Sequence, residues 1–528
     1  MRPRHPERQQ GDTTTTHGGA TTCLVRIASG RRRLVRARHL AARQGGRFDT
    51  LGPVSFAIYI GKDRSADGCA YLAGYGDEPS SHWLEVVPRV EHEPGTEIEV
   101  GVTPEAAMPG VRSSIPQVTE TARHLRVSYS YYLGVPGPLT NGGLNEHGVA
   151  VRDVWSPSSE RLRGLTPLDQ RGPNYSDLAR AVLERARTAR EGVEVIGELV
   201  ERYGYSDYGG NSHLIADGDE AWVVIEFSGG QGLWIAERLG ADDIRVSRPG
   251  YILEVPADFR GHPDFLGSPN LIGFAVERGW FDPASGSFDV NHVYGDGKGR
   301  WAGVRWMEEE LTRRAARPEK IGLADLMWAL RTERLTGDMA GYGQVVPLVP
   351  GEPPDLRIMW HAAIGAIAAP FTPFFLGVSA VPPELRRHRY LTTGEDAAFV
   401  GLDPADDGPR SVVPQDVEAT RSAVAVFKRL LYLVAEHHET FLGEVTTAWE
   451  AFESRLASDV PDVTASAGLL FAADRPDLAR DLLTRYCAGE ALRGLELGEA
   501  MLASIEARSR VLFGVRDETS WRGPDQLW

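Results

Sequence analysis

The sequence predicts an α+β protein. Short β-rich runs dominate the first half of the chain and helical periods dominate its C-terminal part, so strands and helices come in runs and do not alternate strictly. Strict alternation is typical of doubly wound parallel sheets, whereas separate runs favour antiparallel sheets with helices packed on them. The 528-residue chain is long enough to bury a large core without disulfides or a structural metal.

The strand pattern begins with a hairpin. Residues 55–60 (Ser-Phe-Ala-Ile-Tyr-Ile) and 69–73 (Cys-Ala-Tyr-Leu-Ala) are apolar runs, and a loop dense in turn residues separates them. A long apolar run at 360–381 contains prolines, which favours one or two buried strands over a membrane span. The other predicted strands are 84–88, 125–132, 148–154, 213–216, 221–227 and 233–236.

Helical periods follow the first strands and return near the C-terminus. Ser176 is expected to cap a first helix, and a second helix follows it at once. Asp416 is expected to cap the helical C-terminal part. The apolar positions with helical spacing are Leu178, Val182 and Ala186, then Val193, Ile196 and Val200, and finally Val417, Val424, Phe427, Leu431 and Val434.

Composition excludes several classes of protein. The formal net charge of −16 argues against non-specific nucleic-acid binding, which needs a basic surface. The three cysteines form neither a disulfide framework nor a metal-ligand spacing, and no apolar signal segment follows the basic first residues. A glycine-rich stretch at 294–300 lacks the strand-to-helix frame of a phosphate loop and is expected to be a turn. We therefore expect a cytoplasmic protein without cofactor or metal that binds neither nucleic acid nor membrane.

Changes in composition and in predicted secondary structure divide the chain into three parts. Residues 1–54 are polar and then basic, and are expected to be a disordered leader, a propeptide, a product of a start codon placed too far upstream, or an arm that binds a partner. Residues 55–400 are expected to form the catalytic core, and residues 401–528 a helical portion packed on it. Residues 350–354 and 401–414 are the expected loops between lobes.

Several short motifs follow one another over about residues 55–515. They are Gly61-Lys62-Asp63 with Ser65-Ala-Asp67-Gly68, His82 with Leu84-Glu-Val-Val-Pro-Arg89, Gly142-Gly-Leu-Asn145-Glu-His-Gly-Val149, Ser176–Tyr205, Leu214–Asp217 with Glu220–Trp222 and Trp234, and Arg331–Asp338 with Pro373–Gly377 and Val381-Pro382. In these motifs and in their order, the chain resembles the dipeptidase A family of N-terminal-nucleophile hydrolases, within the choloylglycine hydrolase-like superfamily.

The resemblance implies an αββα sandwich and a catalytic set. The spacing before Gly61 places Ser55 where the family has its catalytic cysteine. By the same resemblance, Asp77 orients the α-amine of the nucleophile and Asn145 donates a hydrogen bond to the oxyanion. This chemistry needs a free α-amine on Ser55 and therefore autoproteolysis of a zymogen between Val54 and Ser55. The alternative for each of the three residues is a purely structural role.

Two positions depart from the family pattern. Gly74 stands where relatives often carry Arg or His, and Arg248 stands where they often carry Asn. The guanidinium of Arg248 would suit a substrate carboxylate, so Arg248 and Gly74 are the expected substrate-binding positions, with Arg248 as a surface residue the alternative.

Three functions remain open from the sequence. The first is an amidohydrolase that cleaves a short peptide or peptide-like amide, in a chain free to form a homo-oligomer. The second is an acyltransferase or amide-forming enzyme in which an amine intercepts the same acyl-enzyme. The third is a catalytically degenerate protein that binds a ligand or partner with its leader intact. An N-terminus at Ser55 after maturation would favour the two enzymatic functions.

Overall fold

The computed structural model describes residues 55–76, 82–132, 135–248, 250–252, 254–332, 335, 341–386 and 421–514. The expected leader, Asp77, the loop 401–414 and the expected helix cap Asp416 lie outside these residues. The helical C-terminal portion is described from residue 421, so its expected boundary at residue 400 stays a prediction.

Two antiparallel sheets form the centre of the molecule. The strands of the first, called the six-stranded sheet, are in spatial order Ile244–Ser247, Phe56–Ile60, Ala70–Gly76, Tyr342–Leu348, Ile358–Ala362 and Thr372–Phe375. The strands of the second, called the eight-stranded sheet, are in spatial order Phe265–Gly267, Trp234–Leu239, Ala221–Glu226, Asn211–Ala216, Ala150–Trp155, Val135–Asn145, His124–Tyr132 and His82–Val87. Three two-stranded pairs flank them: Val90–Glu91 with Glu120–Thr121, Glu97–Val100 with Ser113–Pro116, and Glu254–Val255 with Phe288–Asp289.

The sheets face each other, which explains the apolar sequence of their central strands. Every residue of Phe56–Ile60, Asn211–Ala216 and Ala221–Glu226 is buried. A strand covered on both faces has no solvent side to favour polar residues, and Phe56–Ile60 is accordingly a continuous apolar run. The polar residues that the other two strands carry are hydrogen-bonded, as His213 is to Glu226. The hairpin expected at 55–73 is confirmed as Phe56–Ile60 paired with Ala70–Gly76. The run at 360–381 contributes parts of two strands, Ile358–Ala362 and Thr372–Phe375.

Helices Tyr175–Arg185 and Ala189–Tyr203 cover the outer face of the eight-stranded sheet. The cap of the first helix is Asn174, which lies two residues before the expected cap Ser176. The Asn174 side chain accepts from the backbone N–H groups of Ser176 and Asp177, and the Asp177 carboxylate accepts from the Asn174 N–H in return. Ser176 instead accepts from the backbone N–H of Thr140 in the sheet below.

A second helical layer covers the six-stranded sheet. Helices Ala302–Ala315 and Leu323–Ala329 pack on it, and two long C-terminal helices, His438–Ala472 and Pro476–Phe513, pack on its last strand. The order helix, sheet, sheet, helix confirms the expected αββα sandwich. The remaining helices are Glu160–Arg163, Leu271–Glu277, Val290–Tyr294 and Ala423–Glu436.

A buried ion pair joins the C-terminal helices to the sandwich. Arg331 donates to Glu453 Oε2 at 3.0 Å and to the carbonyl of Ala366 at 2.7 Å. Glu453, on helix His438–Ala472, also accepts from the backbone N–H of Phe371. Both charged side chains are buried, so removing either partner would strand the other charge.

In the described ranges, no helix combines the length and the apolar character that crossing a bilayer requires.

Candidate active site

Ser55 lies at the head of a central strand. It directly precedes Phe56–Ile60, whose neighbours are Ala70–Gly76 on one side and Ile244–Ser247 on the other. The serine is 6% exposed. The sheet therefore fixes the backbone that follows Ser55, and the hydroxyl lies at the end of the strand.

Arg248 contacts the Ser55 hydroxyl. Its Nη1 donates to Ser55 Oγ at 2.9 Å. The contact follows from strand pairing, because Ile244–Ser247 runs antiparallel to Phe56–Ile60 and its C-terminal end meets the head of that strand. A guanidinium carries donors only, so Ser55 Oγ accepts here and keeps its own hydrogen for another acceptor. The guanidinium also lies 5.4 Å from the ring centroid of Trp155.

Gly74 leaves space for another arginine. A methyl group at Gly74 would come within 2.7 Å of Cγ of Arg152, which reaches across from the eight-stranded sheet. The space beside Gly74 is therefore filled by protein, which does not fit the expected substrate-binding role. Asp77, the expected partner of the α-amine, lies outside the described residues.

Asn145 is placed away from Ser55, contrary to the expected oxyanion role. Its amide donates to the carbonyls of Leu183 and Ala186, and its Oδ1 accepts from the backbone N–H groups of His147 and Val149. Both amide hydrogens are thus engaged, and none is left for an oxyanion.

The location of Asn145 in the fold also argues against the oxyanion role. The turn that contains Asn145 precedes strand Ala150–Trp155, and Trp155, which contacts Arg248, ends that strand. At about 3.3 Å per residue the strand separates its two ends by roughly 16 Å. Asn145 therefore holds the turn and the C-terminal end of helix Tyr175–Arg185.

Sequence reasoning missed Arg152 and Trp155. The signal for Arg152 was present, because an Arg-Asp pair interrupts the otherwise apolar strand Ala150–Trp155. Arginine is rarely buried unless it is paired. Trp155 carried no such signal, because a tryptophan at a strand end is common in apolar cores.

Cys69 is not poised for nucleophilic attack. Its thiol is buried and donates to Asp67 Oδ1 at 3.1 Å, and burial, followed by the hydrogen bond to Asp67, raises the pKa of the thiol to about 12. The reactive thiolate is therefore scarce near neutral pH. Among the described residues, no cluster of three or more His, Cys, Asp or Glu side chains is arranged to hold a metal ion.

The chain is similar to known dipeptidases. It is 33% identical to a probable dipeptidase of Salmonella dublin over 159 residues, 30% of this chain and 35% of that protein. It is 28% identical to probable dipeptidase A of Streptococcus pyogenes over 221 residues, 41% of this chain and 44% of that protein. The alignments thus span less than half the length of these curated relatives.

Solved structures with some likeness include two hydrolases. One is penicillin V acylase from Agrobacterium tumefaciens, with 15% identity and a TM-score of 0.31, covering 61% of this chain and 86% of that one. The other is a mutant conjugated bile acid hydrolase from Clostridium perfringens, with 12% identity and a TM-score of 0.28, covering 61% of this chain and 92% of that one. The fold assignment rests on the observed layers and not on these likenesses.

The family model that matches is "Peptidase family C69", over residues 57–301. This segment contains the hairpin that follows Ser55, the helix pair on the eight-stranded sheet, and Arg248. The match covers less than half of the chain, and it agrees with the resemblance to dipeptidase A seen in the motifs.

Proposed function

We propose that the chain is an amidohydrolase that cleaves a short peptide or peptide-like amide, with Ser55 as its N-terminal nucleophile. The observation that carries the proposal is the hydroxyl of Ser55 at the head of a central strand, held by the guanidinium of Arg248 at 2.9 Å. The match of residues 57–301 to a peptidase family model supports it. The two described cysteines are free thiols, which agrees with the proposed cytoplasmic location.

Maturation supplies the base. The Ser55 hydroxyl attacks the carbonyl carbon of Val54, the peptide C–N bond breaks, and the nitrogen of Ser55 becomes a free amine as an ester forms on Oγ. Water then hydrolyses the ester and releases residues 1–54. An α-amine has a reference pKa of about 7.7–8.0, so it can accept a proton near neutral pH without a histidine.

Turnover repeats the same chemistry on the substrate. Ser55 Oγ attacks the amide carbonyl, its proton passes to the α-amine, and the amine then protonates the departing nitrogen. The acyl-enzyme ester is hydrolysed by water. Asp77 stays the proposed partner that orients the amine.

Arg248 acts electrostatically on the nucleophile. A guanidinium that donates to Ser55 Oγ at 2.9 Å favours this oxygen as it loses its proton and so assists the attack. Arg248 also stays the proposed partner of a substrate carboxylate, whose planar shape a guanidinium matches. The proposed substrate is therefore a short peptide-like amide with a carboxylate near the scissile bond.

Intact-mass measurement combined with two Ser55 variants tests the proposal. The wild-type chain is expected to begin at Ser55 and to hydrolyse dipeptides. Ser55→Ala is expected to keep its leader and to be inactive, whereas Ser55→Cys restores a nucleophile and is expected to mature. An uncleaved wild-type chain that hydrolyses dipeptides, or an active Ser55→Ala chain, would refute the assignment. A matured chain that is inert on dipeptides yet acylated at Ser55 would indicate acyl transfer instead of hydrolysis.

A further inference from the structure

Arg152 is a fully buried cation between the two sheets. It lies on the central strand Ala150–Trp155 of the eight-stranded sheet and is 0% exposed. It forms an ion pair with its neighbour Asp153, whose side chain is also buried. Moving an arginine out of water costs several kcal/mol, and the pairing with Asp153 offsets part of that cost.

The guanidinium of Arg152 bonds to both sheets at once. Its Nη2 donates to the carbonyl of Tyr75 in the six-stranded sheet at 2.9 Å. Its Nη1 donates to the carbonyl of Asn141 in the eight-stranded sheet at 3.1 Å and to Asp153. The group also lies 5.2 Å from the ring centroid of Tyr342. One planar cation therefore ties the two layers together at a single point.

That point lies next to the nucleophile strand. Tyr75, whose carbonyl Arg152 holds, is the cross-strand partner of Phe56, and Phe56 directly follows Ser55. Any shift of the Tyr75 backbone is thus passed to Phe56 through the strand pairing. Trp155, at the end of the strand that carries Arg152, contacts Arg248, and Arg248 in turn contacts Ser55 Oγ.

A glycine on the six-stranded sheet makes room for Arg152. Gly74, facing it, has no room for a side chain, because a methyl group would come within 2.7 Å of Arg152 Cγ and 2.9 Å of Cδ. The polar contacts and the missing side chain at Gly74 together seat the arginine at this position.

We propose that Arg152 is a positioning residue of the Ser55 site, which fixes the backbone beside the nucleophile by clamping the Tyr75 carbonyl across the two sheets. The inference rests on the proposed function. It concerns how Ser55 is held in line with the substrate carbonyl, and it assigns Arg152 no contact with the substrate.

Arg152→Met and Arg152→Lys test this role in the full matured chain, with Arg331→Met as the matched control. Arg331 is likewise a buried arginine paired with a carboxylate, but its partners are Glu453, on helix His438–Ala472, and the carbonyl of Ala366, in the connection between strands Ile358–Ala362 and Thr372–Phe375. Both methionine variants are expected to lower the denaturant midpoint, because each leaves a buried carboxylate unpaired.

Only the Arg152 variants are expected to slow the chemistry. In the fraction that is folded, Arg152→Met is expected to lower kcat about 10- to 100-fold with little change in KM, since a small misplacement of the nucleophile costs rate before it costs binding. Arg152→Lys keeps the charge but not the two-pronged geometry, and is expected to fall between. Arg331→Met is expected to keep its kcat.

The outcomes separate this inference from the proposed function. If Arg152→Met keeps the wild-type kcat while Ser55→Ala is inactive, the clamp has no positioning role, although Ser55 remains the nucleophile. If Arg331→Met loses kcat to the same degree, the effect belongs to general loss of packing and the proposal is wrong. If Arg152→Met does not fold, Gly74→Ala gives the second test, because it pushes the arginine stem without removing its charge, and an unchanged kcat there overturns the inference.

Discussion

Replacement of Arg248 by methionine removes the donor to Ser55, the proposed nucleophile, while keeping a side chain of similar length. The change deletes the 2.9 Å bond from Nη1 to Ser55 Oγ and the contact of the guanidinium with the Trp155 ring. A hydrogen bond to a charged group contributes about 1.5–3 kcal/mol. Because each 1.36 kcal/mol is a factor of ten in rate, kcat/KM is expected to fall about 10- to 150-fold.

The assay is steady-state hydrolysis of a dipeptide panel by the matured enzyme. Arg245→Met is the matched control, since Arg245 lies on the strand that leads to Arg248 but bonds to Glu237 and the carbonyl of Tyr251. This variant is expected to keep kcat/KM within about twofold, because the bonds that it removes are not made to Ser55. Arg248→Lys keeps a positive charge without the planar fork, and is expected to lie between methionine and wild type. Wild-type kcat/KM in Arg248→Met, in a protein that Ser55→Ala inactivates, would refute the electrostatic role of Arg248.

Three further predictions concern residues outside the catalytic contact. Asn145→Ala is expected to lower the free energy of unfolding by about 3 kcal/mol, because it leaves buried carbonyl and N–H groups unpaired. The folded variant is expected to keep its kcat, and a selective loss of kcat would restore the oxyanion role of Asn145. Iodoacetamide is expected to leave the matured chain active near neutral pH, because burial raises the pKa of the Cys69 and Cys487 thiols to about 12. The matured Ser55→Cys chain should be inactivated, and loss of activity in the chain with Ser55 would point to a reactive thiol. Burial, with a smaller effect of His82, lowers the pKa of His361 to about 3. As pH falls below about 6.5, the unfolded chain therefore gains a proton that the folded chain does not, and the free energy of unfolding decreases down to about pH 3. His361→Phe should flatten this pH dependence of the denaturation midpoint, and an unchanged slope would contradict the reasoning.

Local pattern was enough to predict much of the architecture. The apolar runs around Ser55 became the paired strands Phe56–Ile60 and Ala70–Gly76, since strands buried on both faces favour apolar residues. The error at the helix cap was small and had a physical source. Asparagine and serine are both good caps, and the choice of Asn174 over Ser176 depends on which side chain reaches the free N–H groups.

Motif order predicted the likeness to the family but misjudged the role of Asn145. Asn145 lies in a motif shared with the family, yet its amide is used up by a turn and a helix end. A sequence motif records that an amide is present at a position and does not record which atoms bond to it. Arg152 was missed for the complementary reason, because its partner Tyr75 lies on the other sheet.

The sequence by itself determined the strands, the helix pair, the order of motifs and the serine at the head of its strand, because these depend on residues near one another in the chain. Only the tertiary structure decided that Arg248, 193 residues away, contacts the Ser55 hydroxyl, that Arg152 clamps the two sheets, and that Asn145 lies elsewhere. The physical reason is that strand pairing and sheet packing bring distant residues together, and the spacing of residues along the chain carries no measure of that distance.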